Sequence, residues 1–176
     1  RLHSMNLRRV LDAALNFARN ELRHVARLEV SIDPLPNVMG NEVRLNQVFL
    51  NLFVNATQAI PSGQPDDNLV TVRGYHAEET DEVIVEISDT GVGISPSMLE
   101  RIFEPFFTTK EDRTGTGLGL SISQNIMHAL GGRIEVESIE GDGSTFRLFF
   151  QVDESDDAAR SQEHDAVSPA QRAQLL

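Results

Sequence analysis

Three kinds of residue in this sequence are placed to do chemistry: carboxamides along a helix, a carboxylate at the end of a strand, and glycines in loops. In NQVFLNLFVNATQAI (46–60), Gln47, Asn51 and Asn55 recur every fourth position, which stacks them on one side of a helix that is apolar around most of its circumference. Asparagine suits a helix interior poorly, because its amide competes for backbone hydrogen bonds. Such a stripe either satisfies itself within the core or faces a polar ligand. Mg2+ takes oxygen ligands in an octahedron and usually keeps several waters, so one or two side-chain carbonyls suffice. On the ligand reading Asn55 binds the ion and Asn51, one turn away, assists.

In DTGVGI, Asp89 ends a strand, with Gly91 and Gly93 just beyond. A carboxylate there can accept a hydrogen bond from an exocyclic amine, and the glycines let the backbone lie close under a flat ring. That suits adenine; the alternative is a tight strand-to-loop turn. In TGTGLGLSISQ (114–124), Gly115, Gly117 and Gly119 alternate before a helix, whose exposed amides and dipole make a phosphate seat. The glycines make the same segment pliable enough for a lid; the alternative is a flexible loop with a helix cap. It is neither GxxxxGK[ST] nor GxGxxG after a strand. GDGSTF (141–146) reads as a hairpin turn, from which Thr145 is expected to point inward beside the base. In FEPFFTTK (103–110), Phe103, Phe106 and Phe107 either cover the core under a loop or form a docking surface for a partner helix. Lys110 is placed to reach a terminal phosphate as a point charge, with Arg113 as a second candidate.

The elements that must position these residues follow from periodicity. Leu7, Val10, Leu11, Ala14, Leu15 and Ala18 predict an amphipathic helix over 6–23. The stripe belongs to a helix over 41–60 that ends at Pro61-Ser62-Gly63. A strand is expected at 27–33, a hairpin at 69–75 and 82–89, a short helix near 96–102, a helix over 119–130 stopped by Gly131-Gly132, and a second hairpin at 133–138 and 144–152. This predicts an α+β two-layer α/β sandwich, with helices on one face of a mixed, mostly antiparallel sheet of about five strands. Residues 1–5 read as the end of an upstream linker, 6–152 as the domain, and the polar, acidic 153–176 as a tail or linker.

Bulk properties narrow the partners. With 176 residues, one well-cored domain fits. The net charge of −12 argues against nucleic acid, since phosphate backbones need a basic face. It leaves room for one nucleotide at a local site. Cysteine is absent, so neither a disulfide framework nor a thiolate metal site is available. No apolar run is long enough to span a membrane and no signal-peptide core opens the chain, so a soluble, cytoplasmic fragment without membrane contact is expected. Its parent could still be membrane-anchored.

In this order, NQVFLNLFVNATQAI, DTGVGI, FEPFFTTK, GTGLGL and GDGSTF resemble the boxes of the catalytic ATP-binding domain of sensor histidine kinases. That domain has the Bergerat fold and belongs to the superfamily shared with DNA gyrase, the MutL repair proteins and a heat-shock chaperone. The resemblance covers about residues 41–150. It implies adenine bound by Asp89, Mg2+ bound through Asn55, and phosphates met by a lid around Gly117, Leu118 and Gly119. The wording FEPFFTTK…GTGLGLSISQNIM is most similar to kinases of the nitrogen-regulation type. In hydrolysing relatives a glutamate four residues before the Mg2+ asparagine activates water; Asn51 stands there, and a carboxamide takes up no proton at neutral pH. The implied activity is therefore γ-phosphoryl transfer from Mg-ATP to a histidine on a dimerisation domain, and onward to a response regulator. A weak stand-alone ATPase and a nucleotide-binding anti-sigma-type module are the alternatives. The family's acceptor pattern H-[ED]-x-x-x-P fits neither His3 nor His24; HDAVSP (164–169) fits it, but lacks the long apolar-striped helices of a dimerising hairpin.

Overall fold

The computed structural model describes residues 2–108 and 117–155. Helix α1 (Leu7–Leu22) starts where the Asn6 side chain accepts from the Arg9 N–H, and α2 (Glu42–Ala59) where Asn41 accepts from the Arg44 N–H. Both are local N-caps that satisfy an otherwise orphaned amide. Helix α1 buries Leu7, Leu11 and Leu15; α2 buries Leu45, Phe49, Leu52 and Phe53. A short α3 (Pro96–Leu99) and α4 (Gly119–Ala129) follow later in the chain.

The main sheet has the order β2 (Arg27–Ile32), β4 (Leu69–Ala77), β5 (Glu82–Asp89), β7 (Gly143–Gln151), β6 (Arg133–Ile139). Only β2 and β4 run parallel, joined through α2 as a crossover; the other pairs are antiparallel. Period-two alternation gives the sheet two unlike faces. Val83, Val85 and Ile87 of β5 pack with the helices in the core, beside Phe146 and Leu148 of β7. The other face is polar: Glu86 forms an ion pair with Arg147 at 2.8 Å and accepts from the Tyr75 hydroxyl at 3.2 Å, and the Arg133 guanidinium lies 3.6 Å from the Phe149 ring centroid. The α+β sandwich with a five-stranded mixed sheet is thus the fold, and no helix among the described residues is long and apolar enough to cross a membrane.

Two stretches expected outside the domain join it. Residues His3–Met5 form β1, paired antiparallel with β3 (Val38–Gly40), and Val38 also bridges Val152. Asp153 is buried, its N–H donates to the Asn37 carbonyl, and its carboxylate accepts from the Ser155 hydroxyl. Strands of three residues carry no periodicity of their own, so the pairing is a tertiary event.

Candidate nucleotide site

A cavity of about 480 Å3 opens between α2, the start of α4, the loop after β5 and the phenylalanine-rich segment. Asn51, Asn55, Asp89, Gly93, Gly119 and Ser144 line it together. Its volume is that of a small-molecule site. Asn51 and Asp89 mark its two ends: the Asp89 loop leans on Ala59 at the last turn of α2, eight residues and so about 12 Å along the helix from Asn51.

At one end, Asp89 is only 8% exposed. Burial pushes its carboxyl up to about 6, although hydrogen bonds from the backbone N–H groups of Gly91 and Ser144 pull it down. The glycines here meet protein rather than a ring. A Cβ on Gly91 would lie 2.5 Å from the Ala59 carbonyl oxygen, and one on Gly93 (φ +69°) 2.1 Å from that of Ile139. Gly93 still borders the cavity, whereas Gly91 acts through the 2.8 Å hydrogen bond from its N–H to Asp89. Their missing side chains hold the loop against α2 and the β6–β7 hairpin, which aims Asp89.

Thr145 does not point inward. Its hydroxyl lies 2.8 Å from that of Ser88 on the opposite face of the sheet. Ser144, the strand partner of Asp89, lines the cavity instead. The signal was present in the sequence: apolar Phe146 and Leu148 share the parity of Ser144, while charged Arg147 shares that of Thr145.

At the other end, the Asn51 side-chain nitrogen donates to the Gly119 carbonyl and to Ser123 Oγ, both at 3.2 Å, and so anchors the first turn of α4. Ser123, fully buried, donates in turn to the Gly119 carbonyl at 2.8 Å. Sequence reasoning missed Ser123, because only the docking of α4 on α2 brings it to Asn51. Asn55 differs: its side-chain nitrogen is buried with no hydrogen-bond partner among the described residues. Such a group in a polar cavity invites a ligand, and since an amide can be turned over, either its nitrogen or its oxygen can serve. Gln47 is exposed and lies off the cavity, where Gln58 continues the stripe.

Gly117 and Gly119 line the cavity, and Leu118 is the residue before α4. Gly117 (φ +68°) is tied to the phenylalanine segment, since the Phe106 N–H donates to its carbonyl at 2.9 Å. The three phenylalanines divide: Phe103 and Phe107 pack on the core, with Arg101 over the Phe107 ring, while Phe106, at a strained φ of +66°, is 74% exposed. Lys110, Arg113, Gly115 and the HDAVSP segment lie outside the described residues.

Residues 40–154 match the family described as histidine kinase-, DNA gyrase B-, and HSP90-like ATPases. The sensor histidine kinase ZraS of Salmonella typhi is 39% identical over 153 residues, which is 86% of this chain and 31% of that protein. The sensor protein FixL of Bradyrhizobium diazoefficiens is 42% identical over 124 residues, 69% of this chain and 23% of the relative. The chain thus spans a third or less of the length of these relatives. Among solved structures, the mycobacterial sensor histidine kinase MprB superposes with a TM-score of 0.73 at 25% identity, covering 87% of this chain and all of that one. Full-length ShkA in complex with AMPPNP superposes with a TM-score of 0.70 at 27% identity, over 86% of this chain and 32% of that one. Matching both in sequence and in fold, this chain belongs to the family of histidine kinase-, DNA gyrase B-, and HSP90-like ATPases.

Proposed function

We propose that this domain binds Mg-ATP in the cavity and donates the γ-phosphoryl group to a histidine on a separate dimerisation domain of its parent kinase, which then passes it to a response regulator. One observation carries the choice of transfer over hydrolysis. Asp89 is the only ionisable side chain among the described residues that line the cavity, and it sits at the base end. The position that would need a general base is Asn51, whose amide is committed to holding α4 and cannot take a proton from water. Catalysis is left to positioning and charge neutralisation, which suit a loose phosphoryl-transfer transition state.

Asp89 receives the exocyclic amine of the base, and the first turn of α4, from Gly119, meets the phosphates. The Asn55 amide, whose nitrogen has no partner among the described residues, fits a Mg2+ site, with Asn51 beside it. Among the described residues no group of three His, Cys, Asp or Glu could hold a metal, so water and phosphate oxygens would supply the remaining ligands. When bound, the ion offsets phosphate charge. Lys110 is assigned to the terminal phosphate, and Gly115 and Leu118 to the lid. The structurally similar full-length ShkA, solved in complex with AMPPNP, supports the nucleotide reading. The nitrogen-regulation subgroup and a cytoplasmic location are further parts of the proposal, supported by the box wording and by composition.

The test supplies a histidine-containing helical hairpin from a sensor kinase together with radiolabelled Mg-ATP. Labelled hairpin with little free phosphate is expected, and Asn55→Ala should remove the Mg2+-dependent part of ATP affinity, about tenfold. An unlabelled hairpin despite tight Mg-ATP binding would point to a binding module, and steady phosphate release without the hairpin to an ATPase.

A further inference from the structure

We infer that Ser138, which does not line the cavity, determines base selectivity by fixing where the Ser144 proton points. Asp89, Ser144 and Ser138 form one row across three adjacent strands, since Asp89 pairs with Ser144 and Ser144 with Ser138. On that face most neighbours are apolar, so each polar atom in the row must find a partner.

The protons in this row can be counted. The Ile94 N–H reaches Ser138 Oγ at 2.8 Å, and a backbone amide can only donate. The Gly143 carbonyl lies 2.9 Å from the same hydroxyl and can only accept, so it takes the single Ser138 proton. The remaining contact, 2.8 Å between the Ser138 and Ser144 hydroxyls, must then use the proton of Ser144. Ser144 Oγ is left with lone pairs alone for the cavity, next to the Asp89 carboxylate that its own backbone N–H supports. The base end therefore offers acceptors side by side. An exocyclic amino group, which only donates, is matched; a carbonyl at the same ring position is opposed by both oxygens. Selection of 6-amino over 6-oxo purines follows from this row, and Ser138 is its positioning residue.

This rests on the nucleotide reading above, and the experiment separates the two. ATP and inosine triphosphate differ at the amino-or-oxo position and its adjoining ring nitrogen, so their dissociation constants are measured by calorimetry on the whole chain. The wild-type chain is expected to prefer ATP by about tenfold or more, because a mismatched hydrogen-bonding edge leaves polar groups unpaired. Ser138→Ala frees the Ser144 proton to turn toward a carbonyl and should narrow that preference about three- to tenfold. Ser138→Thr should restore it. Ser144→Ala should narrow it similarly and add nothing in the Ser138→Ala background, a non-additivity that general loosening would not produce. Equal weakening for both nucleotides, or an unchanged ratio in folded Ser138→Ala and Ser144→Ala, would overturn the role of Ser138 while leaving ATP binding intact. Failure of the wild-type chain to bind either nucleotide would sink the nucleotide reading and this inference with it.

Discussion

At the Asp89 end of the cavity, backbone meets backbone so closely that a methyl group on Gly91, Gly93 or Gly143 would fall within 2.0–2.5 Å of a carbonyl oxygen. At the Asn51 end the two glycines divide: a methyl on Gly117 would lie 2.6 Å from the Phe106 backbone, whereas at Gly119, where α4 begins, the nearest foreign atom would be 3.8 Å away, on a side chain. The base end also closes its polar accounts internally, through Gly91, Ser144 and Ser138, whereas the other end keeps the Asn55 amide nitrogen without a partner among the described residues. The contrast follows the ligand chemistry proposed above. A purine edge is neutral and of fixed shape, so a rigid wall whose acceptors are held in place by internal hydrogen bonds can recognise it. Phosphates bring charge and metal with them, so the protein needs to leave polar groups uncommitted there.

Three substitutions sharpen or break this comparison. The largest effect is expected for Gly93→Ala, which combines a left-handed backbone with a 2.1 Å clash against Ile139. Left-handed strain and forced repacking together should cost roughly 3 kcal/mol or more, read by urea denaturation. A cost below about 1 kcal/mol would mean that the base-end wall yields.

Asp89→Asn should divide stability from function. In the folded chain this carboxyl is raised from 3.8 to about 6, so the fold binds its proton more tightly than the unfolded chain does. Its ionisation costs nothing below about pH 4, and the penalty is complete above about pH 7. The gap between 3.8 and about 6 corresponds to roughly 3 kcal/mol. Asp89→Asn should therefore gain up to roughly 3 kcal/mol at neutral pH and nothing near pH 4, while ATP affinity falls more than tenfold. Denaturant melts at two pH values and calorimetry check both; affinity within twofold of wild type would remove Asp89 from base recognition.

The smallest effect belongs to Gly119→Ala. This position opens α4 with space around it, so replacing glycine within a helix should stabilise the chain by up to about 1 kcal/mol. A thermal melt that instead shows a loss as large as that of Gly93→Ala would make the start of α4 as tight as the base-end wall and abolish that distinction.

Much of this architecture was legible in the residues. The 3.6-residue period of α1 and α2 and the two-residue period of β4, β5 and β7 are signals along the chain, and they located the sheet and the stripe that faces the cavity. The outward side of Thr145 is legible as well, because it shares parity with charged Arg147 and not with apolar Phe146 and Leu148. The strands β1 and β3 were out of reach, because three residues pair only when a partner from elsewhere is held beside them. Phe106, Phe103 and Phe107 look alike in sequence, yet the positive φ of Phe106 beside Gly117 turns its ring to solvent.

The sequence alone determined which chemistry was available: carboxamides at helical spacing, one acid at a strand tip, and glycines where side chains would obstruct. Those are properties of residue type and local period, set by backbone geometry over a few residues. Only the tertiary structure decided what each group is committed to. Asn51 is bound to α4, the Asn55 side-chain nitrogen has no partner among the described residues, Gly91 and Gly93 press on backbone, and Ser138 governs Ser144 from outside the cavity. Hydrogen-bond partners dozens of residues apart are chosen by how sheet and helices pack, and no local period encodes that choice.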